Sequence, residues 1–422
     1  MHSRKVIVIG GGAAGLMAAG RAARAGAETL LLEKMPQPGR KIRITGKGRC
    51  NITNTAELPE FIRHFGQSGR FLHQAFARFF NLDLIDFFEN LGLDLVTERG
   101  GRVFPAGGKA PEVLAVLLEW VRQSGVEIRT AAPVEELLIK EGRVTGVVCG
   151  AGKIEGAAVI LATGGASYPL TGSTGDGYRL AAAAGHRIVP IRPALVPLIT
   201  AGKIAERLQD LNLRNVKVRM LVDNKKQQEA FGELVFSDFG LSGPVILTLS
   251  GSAVDALQKG RKVTMSIDLK PALDENKLEA RLLRDFASRG KEEFAVFLRG
   301  LLPREMVPVC LEQTGIPAER KVHSVSAKER RSLKVWLKDF RLEVVGYRPL
   351  AEAIVTAGGV DTAEVDPRTM ESRLTGKLFL AGEVLDIQGD TGGYNLQAAF
   401  STGWLAGRAA ADIVAGIPSP DR

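Results

Sequence analysis

The sequence predicts an α/β fold in which a dinucleotide-binding parallel sheet, built from both ends of the chain, is interrupted by an inserted β-barrel with helices. Three observations predict it. Residues 5–34, KVIVIGGGAAGLMAAGRAARAGAETLLLEK, read in order as apolar strand, glycine turn, small-residue helix, apolar strand and terminal acid. Two later apolar runs, 159–161 entering Ala162-Thr163-Gly164-Gly165 and 377–380 entering Ala381-Gly382-Glu383, repeat that texture. From Pro190 the pattern changes to short alternating stretches, the mark of half-buried strands. The expected organisation is a nucleotide-binding domain from residues 1–190 and 346–422, and an insertion over 191–345 comprising a β-barrel with a helical subdomain at about 271–325.

In the opening unit, β-branched residues fill both faces of the first strand, as in a buried parallel strand. Gly10, Gly12 and Gly15 follow in G-x-G-x-x-G spacing. The first glycine permits the turn, the second lets a pyrophosphate approach the backbone, and the third lets helix and strand pack closely. Ala13 and Ala14 open the helix, whose N-terminal N–H groups and dipole favour phosphate. Glu33 ends the second strand where such folds accept hydrogen bonds from an adenosine ribose, and Lys34 follows it.

Residues 35–54 are broken by glycine and proline and rich in positive charge, so a loop approaching an anion is expected. Arg40, Lys41, Lys47 and Arg49 would neutralise a pyrophosphate, while Gly46 and Gly48 let the backbone pass close to a flat ring. Cys50 reads as a small space-filler beside the cofactor rather than a redox thiol, and Asn51 as the polar contact. Residues 71–91 carry Phe76, Phe79, Phe80, Leu84, Phe87 and Phe88 at helical spacing, which predicts core. Gly100 to Pro105 reads as a turn and short strand presenting Arg102, either a substrate anchor or an ordinary exposed residue. A helix over 111–124, a strand over 126–129 and a hairpin over 134–149 come next, with Val134 at the end that contacts adenine in such folds.

Ala162, Thr163 and Gly164 carry the chain back across the nucleotide without side-chain clash. His186, after Gly185, reads as the end of a helix rather than a catalyst. In the insertion, strands are expected over 192–200, 214–222, 228–236 and 262–269, helix-forming sequence over 271–314 and an amphipathic helix over 326–340. After it, Gly382 and Glu383 supply another strand-terminal acid, and Gly393, Tyr394, Asn395 and Leu396 open a small-residue helix running to Ala411.

A chain of 422 residues exceeds what one core usually supports. Cys50, Cys149 and Cys310 stand far apart without C-x-x-C spacing, so neither a disulfide framework nor a metal site is expected. Arg4 and Lys5 precede an apolar stretch, but glycines interrupt it and no run spans a bilayer. A cytoplasmic protein without membrane association is therefore expected. Net charge is +9, and residues 191–345 hold 27 Lys and Arg against 20 Asp and Glu, which places most of the excess in the insertion. Its densest run, Lys328-Glu329-Arg330-Arg331, lacks interleaved aromatics, so a small-molecule substrate is expected rather than nucleic acid, and oligomeric state is open.

The segments GRKIRITGKGRCNITN (39–54), GRVFPAGGKA (101–110), ATGGASYPLTGSTGDG (162–177) and AGEVLDIQGDTGGYNLQAAFSTGWLAGR (381–408) together resemble the BaiN/RdsA-like (YhiN-like) family of NAD(P)/FAD-dependent oxidoreductases. The resemblance covers nearly the whole chain. It implies a Rossmann-like two-dinucleotide-type FAD-binding domain with an inserted β-barrel plus helical domain. It also implies non-covalent FAD and NAD(P)H as a transient reductant, since no second G-x-G-x-x-G unit is present. Hydride would pass to an unsaturated or keto small-molecule acceptor. The alternatives are a flavoenzyme like fumarate reductase or ketosteroid dehydrogenase, and an FAD-dependent tRNA-modifying protein. The helix opening at Gly393 would face the flavin N1–O2 edge, and Glu383 the ribitol or phosphate side. For chemistry, Arg102 is the candidate anchor and Tyr168, Tyr394 and Asp238 the candidate proton donors. Relatives carry Thr-His where this chain has Ser237-Asp238, and Asp238 could donate only if burial raised its pKa strongly.

Overall fold

The computed structural model describes residues 4–150 and 152–417. Strand Lys5–Ile9 lies at the centre of a five-stranded sheet, paired in parallel with Glu28–Leu32 on one side and Ala158–Leu161 on the other. Leu378–Leu380 and Glu127–Arg129 complete its two edges, also in parallel. Every residue of Ala158–Leu161 and Leu378–Leu380 is buried, as expected when helices cover both faces.

Helix Ala13–Arg24 and the C-terminal helix Tyr394–Val414 pack together through small residues. A Cβ at Gly403 would stand 2.3 Å from Ala14 O, and one at Gly407 2.3 Å from Ala18 O, so the two backbones are in contact. This is why a helix from the end of the chain covers the nucleotide turn at its beginning.

Two compact units emerge, one comprising the chain up to Pro193 and from Leu350, the other Ala194–Pro349. The second holds a closed six-stranded barrel, with Leu198–Thr200, Gly240–Ser242, Lys225–Phe236, Asn212–Val222, Val263–Asp268 and Phe340–Tyr347 as successive neighbours. It has its own core, in which Phe236, Phe294, Phe297 and Phe340 are fully buried. Helices Glu275–Ser288, Phe294–Leu298, Met306–Thr314 and Ala327–Lys338 supply the helical part. Ser326 and Glu329 cap the last reciprocally, each side chain meeting the other's backbone N–H.

Four sequence expectations change. Residues 40–48 are a helix, Arg40–Gly48, entered through left-handed Gly39, because the basic residues between the glycines are good helix formers. The run 71–91 is two helices, Gly69–Arg78 and Asn81–Asn90; Asp83 Oδ2 caps the Phe80 N–H at 2.7 Å and starts the second. The stretch 192–200 is also two elements, broken at Leu195 with φ +50°. Ile188–Ala194 pairs with Val355–Val360, and only Leu198–Thr200 joins the barrel. Helix Pro244–Gln258, with strands Gly240–Ser242 and Phe340–Tyr347, was missed: the helix opens on Pro and an apolar run and interleaves small polar residues, so it shows little periodicity, and the first strand is only three residues long. Among the described residues no helix is long and apolar enough to cross a membrane.

His186 is a buried tie between the end of helix Asp176–Ala183 and the segment before the last sheet strand. Ser372 Oγ accepts from the Leu374 and Thr375 N–H groups, so its hydroxyl donates to His186 Nε2 at 2.8 Å, and Nδ1–H donates to Glu364 Oε2 at 3.1 Å. Burial outweighs the Glu364 carboxylate and holds the imidazole below its ordinary value. The neutral ring is thus the folded form. Stability from this site is present above the unfolded value, about 6.5, and is lost as pH falls below it, where the unfolded chain binds a proton that the folded chain resists. The apparent Tm should decline between pH 7 and 5, and His186→Gln should flatten that slope; an unchanged slope would move the titration to other groups.

Candidate functional site

The turn after the first strand is shaped for a phosphate. Gly10 takes φ +101°, closed to most side chains, and a Cβ at Gly15 would stand 1.8 Å from Gly10 O. The first rung of the helix is Leu16 N to Gly12 O at 2.9 Å, which leaves the N–H groups of Ala13, Ala14 and Gly15 ahead of the helical ladder. Beyond its chain neighbours, no atom of the described residues lies within 4 Å of where a Gly12 Cβ would be, so there is room beside those donors. Glu33 is 9% exposed and already shaped: Oε2 accepts from Gly11 N and Oε1 from Met35 N, each at 2.7 Å. Each oxygen retains acceptor capacity for a ribose hydroxyl. Val134 is buried at the start of strand Val134–Lys140.

Lys34, which follows the ribose acid, and Lys41, assigned to phosphate, are both paired within the protein. Lys34 Nζ meets Thr174 Oγ1 and Asp176 Oδ2, each at 2.5 Å, tying the second strand to the 174–176 turn and holding the Asp176 carboxyl low. Lys41 Nζ lies 2.8 Å from Glu383 Oε2 and 2.7 Å from Ser167 Oγ. Glu383 Oε1 in turn accepts from Thr356 N at 2.7 Å and Ser167 Oγ at 3.1 Å. Thr356 Oγ1 accepts the Ala166 and Ser167 N–H groups at 2.8 and 3.1 Å. Ser167 lies within the segment 162–177 but was not singled out there, and neither was Thr356, because it belongs to strand Val355–Val360, which no motif marks.

Arg40 is exposed, and the Lys47 side chain lies outside the described residues. Arg49 is paired with Glu98 and lies over the Phe104 ring. Gly46 and Gly48 have positive φ at the end of helix Arg40–Gly48, with Asn51 N 3.2 Å from a Gly46 Cβ. Cys50 is fully buried, and burial pushes its thiol up to about 11, so it is a space-filler rather than a nucleophile.

Three buried oxygens in these segments lack a partner among the described residues: Asn51 Oδ1, Thr163 Oγ1 and Gln388 Oε1. An unsatisfied buried acceptor costs about 1–3 kcal/mol, so a bound group with N–H and O–H donors fits here. Gln388 lies within the segment 381–408, but its residue type and position there did not single it out. Thr163 follows buried Ala162 at the end of its strand, and Gly164 has φ +74°. Gly382, at φ +75°, donates to Thr402 Oγ1 at 2.9 Å.

At the C-terminal helix the first rung is Gln397 N to Gly393 O at 3.2 Å, so the N–H groups of Tyr394, Asn395 and Leu396 precede the ladder. Asn395 closes the preceding loop, its Oδ1 accepting from Gly389 N at 2.8 Å and its Nδ2 donating to Gly389 O at 2.9 Å. Tyr394 is buried against Phe61 and stacked on His64 at 4.0 Å, and burial pushes its phenol up to about 12. It is thus a packing residue as well as a donor candidate. Tyr168 is half-buried, next to Ser167, in the left-handed region at φ +50°. Asp238 is exposed in the turn between Ser237 and Gly240, whose backbones exchange bonds of 2.9 and 3.3 Å. The burial that a donor role for it required is absent.

The strand ends leading to Gly382, Ala162, Gly10 and Glu33 lie side by side in one parallel sheet. The family described as HI0933-like protein Rossmann domain matches residues 4–409. This chain belongs to the HI0933-like Rossmann family, and it is a flavoprotein oxidoreductase with an FAD-binding site. It is similar to the 3-dehydro-bile acid delta(4,6)-reductase of Clostridium scindens, with 33% identity covering 97% of this chain and 99% of the relative. It is similar also to the ribosomal RNA dihydrouridine synthase of Escherichia coli, with 32% identity covering 98% and 99%. Among solved structures, the open conformation of a flavocytochrome c3 fumarate reductase matches with TM-score 0.52 and 19% identity, over 98% of this chain and 79% of that one; it shares the fold.

For this HI0933-like chain, Glu33→Ala should leave the protein folded and weaken FAD retention about ten- to a hundred-fold, the value of charge-assisted hydrogen bonds to ribose hydroxyls, roughly 1.5–3 kcal/mol. Flavin titration of the apoprotein measures it. Affinity equal to the parent would place the ribose elsewhere.

Proposed function

We propose that this protein is an FAD-dependent reductase that saturates a carbon–carbon double bond conjugated to a carbonyl, with NAD(P)H as the electron source. The observation that carries the reading is the bond chemistry common to two full-length relatives. The name of one describes reduction of an unsaturated 3-oxo steroid acid, and that of the other describes formation of dihydrouridine, a uracil ring saturated next to a carbonyl. Overall, the alkene gains a hydride and a proton while NAD(P)H becomes NAD(P)+.

Bound FAD supplies the two-electron, hydride-transferring centre. The chain's own residues do the rest. The Gly10 turn and the N–H groups of residues 13–15 hold pyrophosphate, Glu33 orients the adenosine ribose, and Glu383 with Asn51, Thr163 and Gln388 supplies polar contacts further along. Tyr168 is the favoured proton donor: it adjoins the Ser167–Glu383 network, and strained backbone of this kind concentrates at functional sites. Tyr394 is the reserve, held protonated by burial.

The substrate class is open between a free steroid-type acid and ribosomal RNA. Anaerobic mixing of the NADPH- or NADH-reduced holoprotein with a Δ4,6-3-oxo bile acid, or with unmodified ribosomal RNA, decides it. Reoxidised flavin with a saturated product, or dihydrouridine by mass spectrometry, is expected from one of them. Reduced flavin that neither substrate reoxidises would sink the reading. RNA activity should also fall steeply with salt, as phosphate-driven binding does. With the active substrate, Tyr168→Phe should slow reoxidation about a hundred-fold, the scale of general acid catalysis, and Asp238→Asn less than about ten-fold. The opposite ranking would make Asp238 the acid.

A further inference from the structure

Beside the cofactor segments lies a charged cluster that joins Arg102, the candidate anchor, to Arg49. Strands Thr53–Asn54, Leu95–Glu98 and Arg102–Pro105 form a small antiparallel sheet whose register sets Arg102 opposite Glu98 on one side and Asn54 on the other. Phe104, 4% exposed, supports two guanidiniums: Arg49 Cζ is 4.3 Å from its ring centroid and Arg102 Cζ 5.8 Å. One carboxylate serves both. Glu98 Oε1 is 2.6 Å from Arg49 Nη2, whereas Glu98 Oε2 is 3.7 Å from Arg102 Nη2, beyond hydrogen-bond reach. Two half-exposed positive charges thus share a single negative one.

The cluster adjoins the flavoprotein site. A Gly46 Cβ would be 3.8 Å from Phe104 Cε1, a Gly393 Cβ 2.4 Å from Thr53 O, and Asn54 Nδ2 donates to Gly392 O at 3.2 Å. A guanidinium presents parallel N–H groups that match both oxygens of an oxoanion, and an aromatic face fixes its plane before the ligand arrives.

We propose that Arg49 and Arg102, seated on Phe104, are an oxoanion handle for the substrate. They hold a carboxylate or phosphodiester carried by the molecule whose double bond is reduced, and the anion displaces Glu98 from the pair. The identity of the carrier rests on the reductase reading; anion binding does not.

The test uses FAD-loaded protein and calorimetric titration without turnover, with cholate as a saturated steroid carboxylate, methyl cholate as its uncharged counterpart, and UpUpU as a phosphodiester. One of the two anions should bind, cholate assigning the handle to carboxylates and UpUpU to phosphodiesters. Arg102→Gln and Arg49→Gln should each weaken that binding about ten- to a hundred-fold, and Glu98→Gln should tighten it. Arg408→Gln, which removes the same charge from the C-terminal helix, should leave it unchanged. Where cholate is the anion that binds, methyl cholate should bind the parent and Arg102→Gln alike; flavin absorbance certifies each variant as folded. Absence of binding by either anion, equal affinity in Arg102→Gln, or weaker binding in Glu98→Gln would overturn the handle. A failed handle leaves turnover of uncharged enones intact, whereas a failed reductase reading leaves anion binding intact.

Discussion

One carboxylate joins what the insertion separates. Glu383, at the end of the last sheet strand, takes a hydrogen bond from Lys41 near the N-terminus, from Ser167 before the insertion and from the Thr356 backbone after it. A half-buried carboxylate with several donors is worth more than its pairs taken singly, because each bond polarises the next in a low-dielectric setting. Losing any one segment would leave charge poorly compensated. The cofactor region is therefore assembled only when both ends of the chain are in place.

The second constraint is size. Gly15 against Gly10, Gly403 against Ala14 and Gly407 against Ala18 put backbones in contact, so the nucleotide turn is held from beneath and above by residues without side chains. Such packing leaves no room for adjustment, and it gives the phosphate donors a fixed geometry before any ligand arrives. Preorganisation of this sort lowers the entropy lost on binding. The barrel unit is held differently, by its own aromatic core around Phe236, Phe294 and Phe340.

Positive charge illustrates how far local sequence can be trusted. The basic stretch 35–54 pointed to an anion, but two of its cations are spent within the protein's own network, Lys41 on Glu383 and Arg49 on Glu98, as is the preceding Lys34 on Asp176. Each partner lies far along the chain, so no spacing rule could have found it. Arg102 joins the same carboxylate as Arg49, which turns two separately noted residues into one surface.

What the sequence determined by itself is whatever depends on neighbours in the chain. The first strand, its glycine turn and small-residue helix, Glu33 at a strand end, and the glycine-started C-terminal helix all follow from backbone sterics and periodicity over a few residues. Tertiary structure alone decided the pairings: His186 with Glu364 and Ser372, Glu383 with Thr356, the barrel's closure by the strand Phe340–Tyr347, and the unpartnered oxygens of Asn51, Thr163 and Gln388. The physical reason is that hydrogen bonding and burial act through space. A residue's role is set by what the folded chain brings within about 3 Å of it, and distance along the sequence carries little of that information.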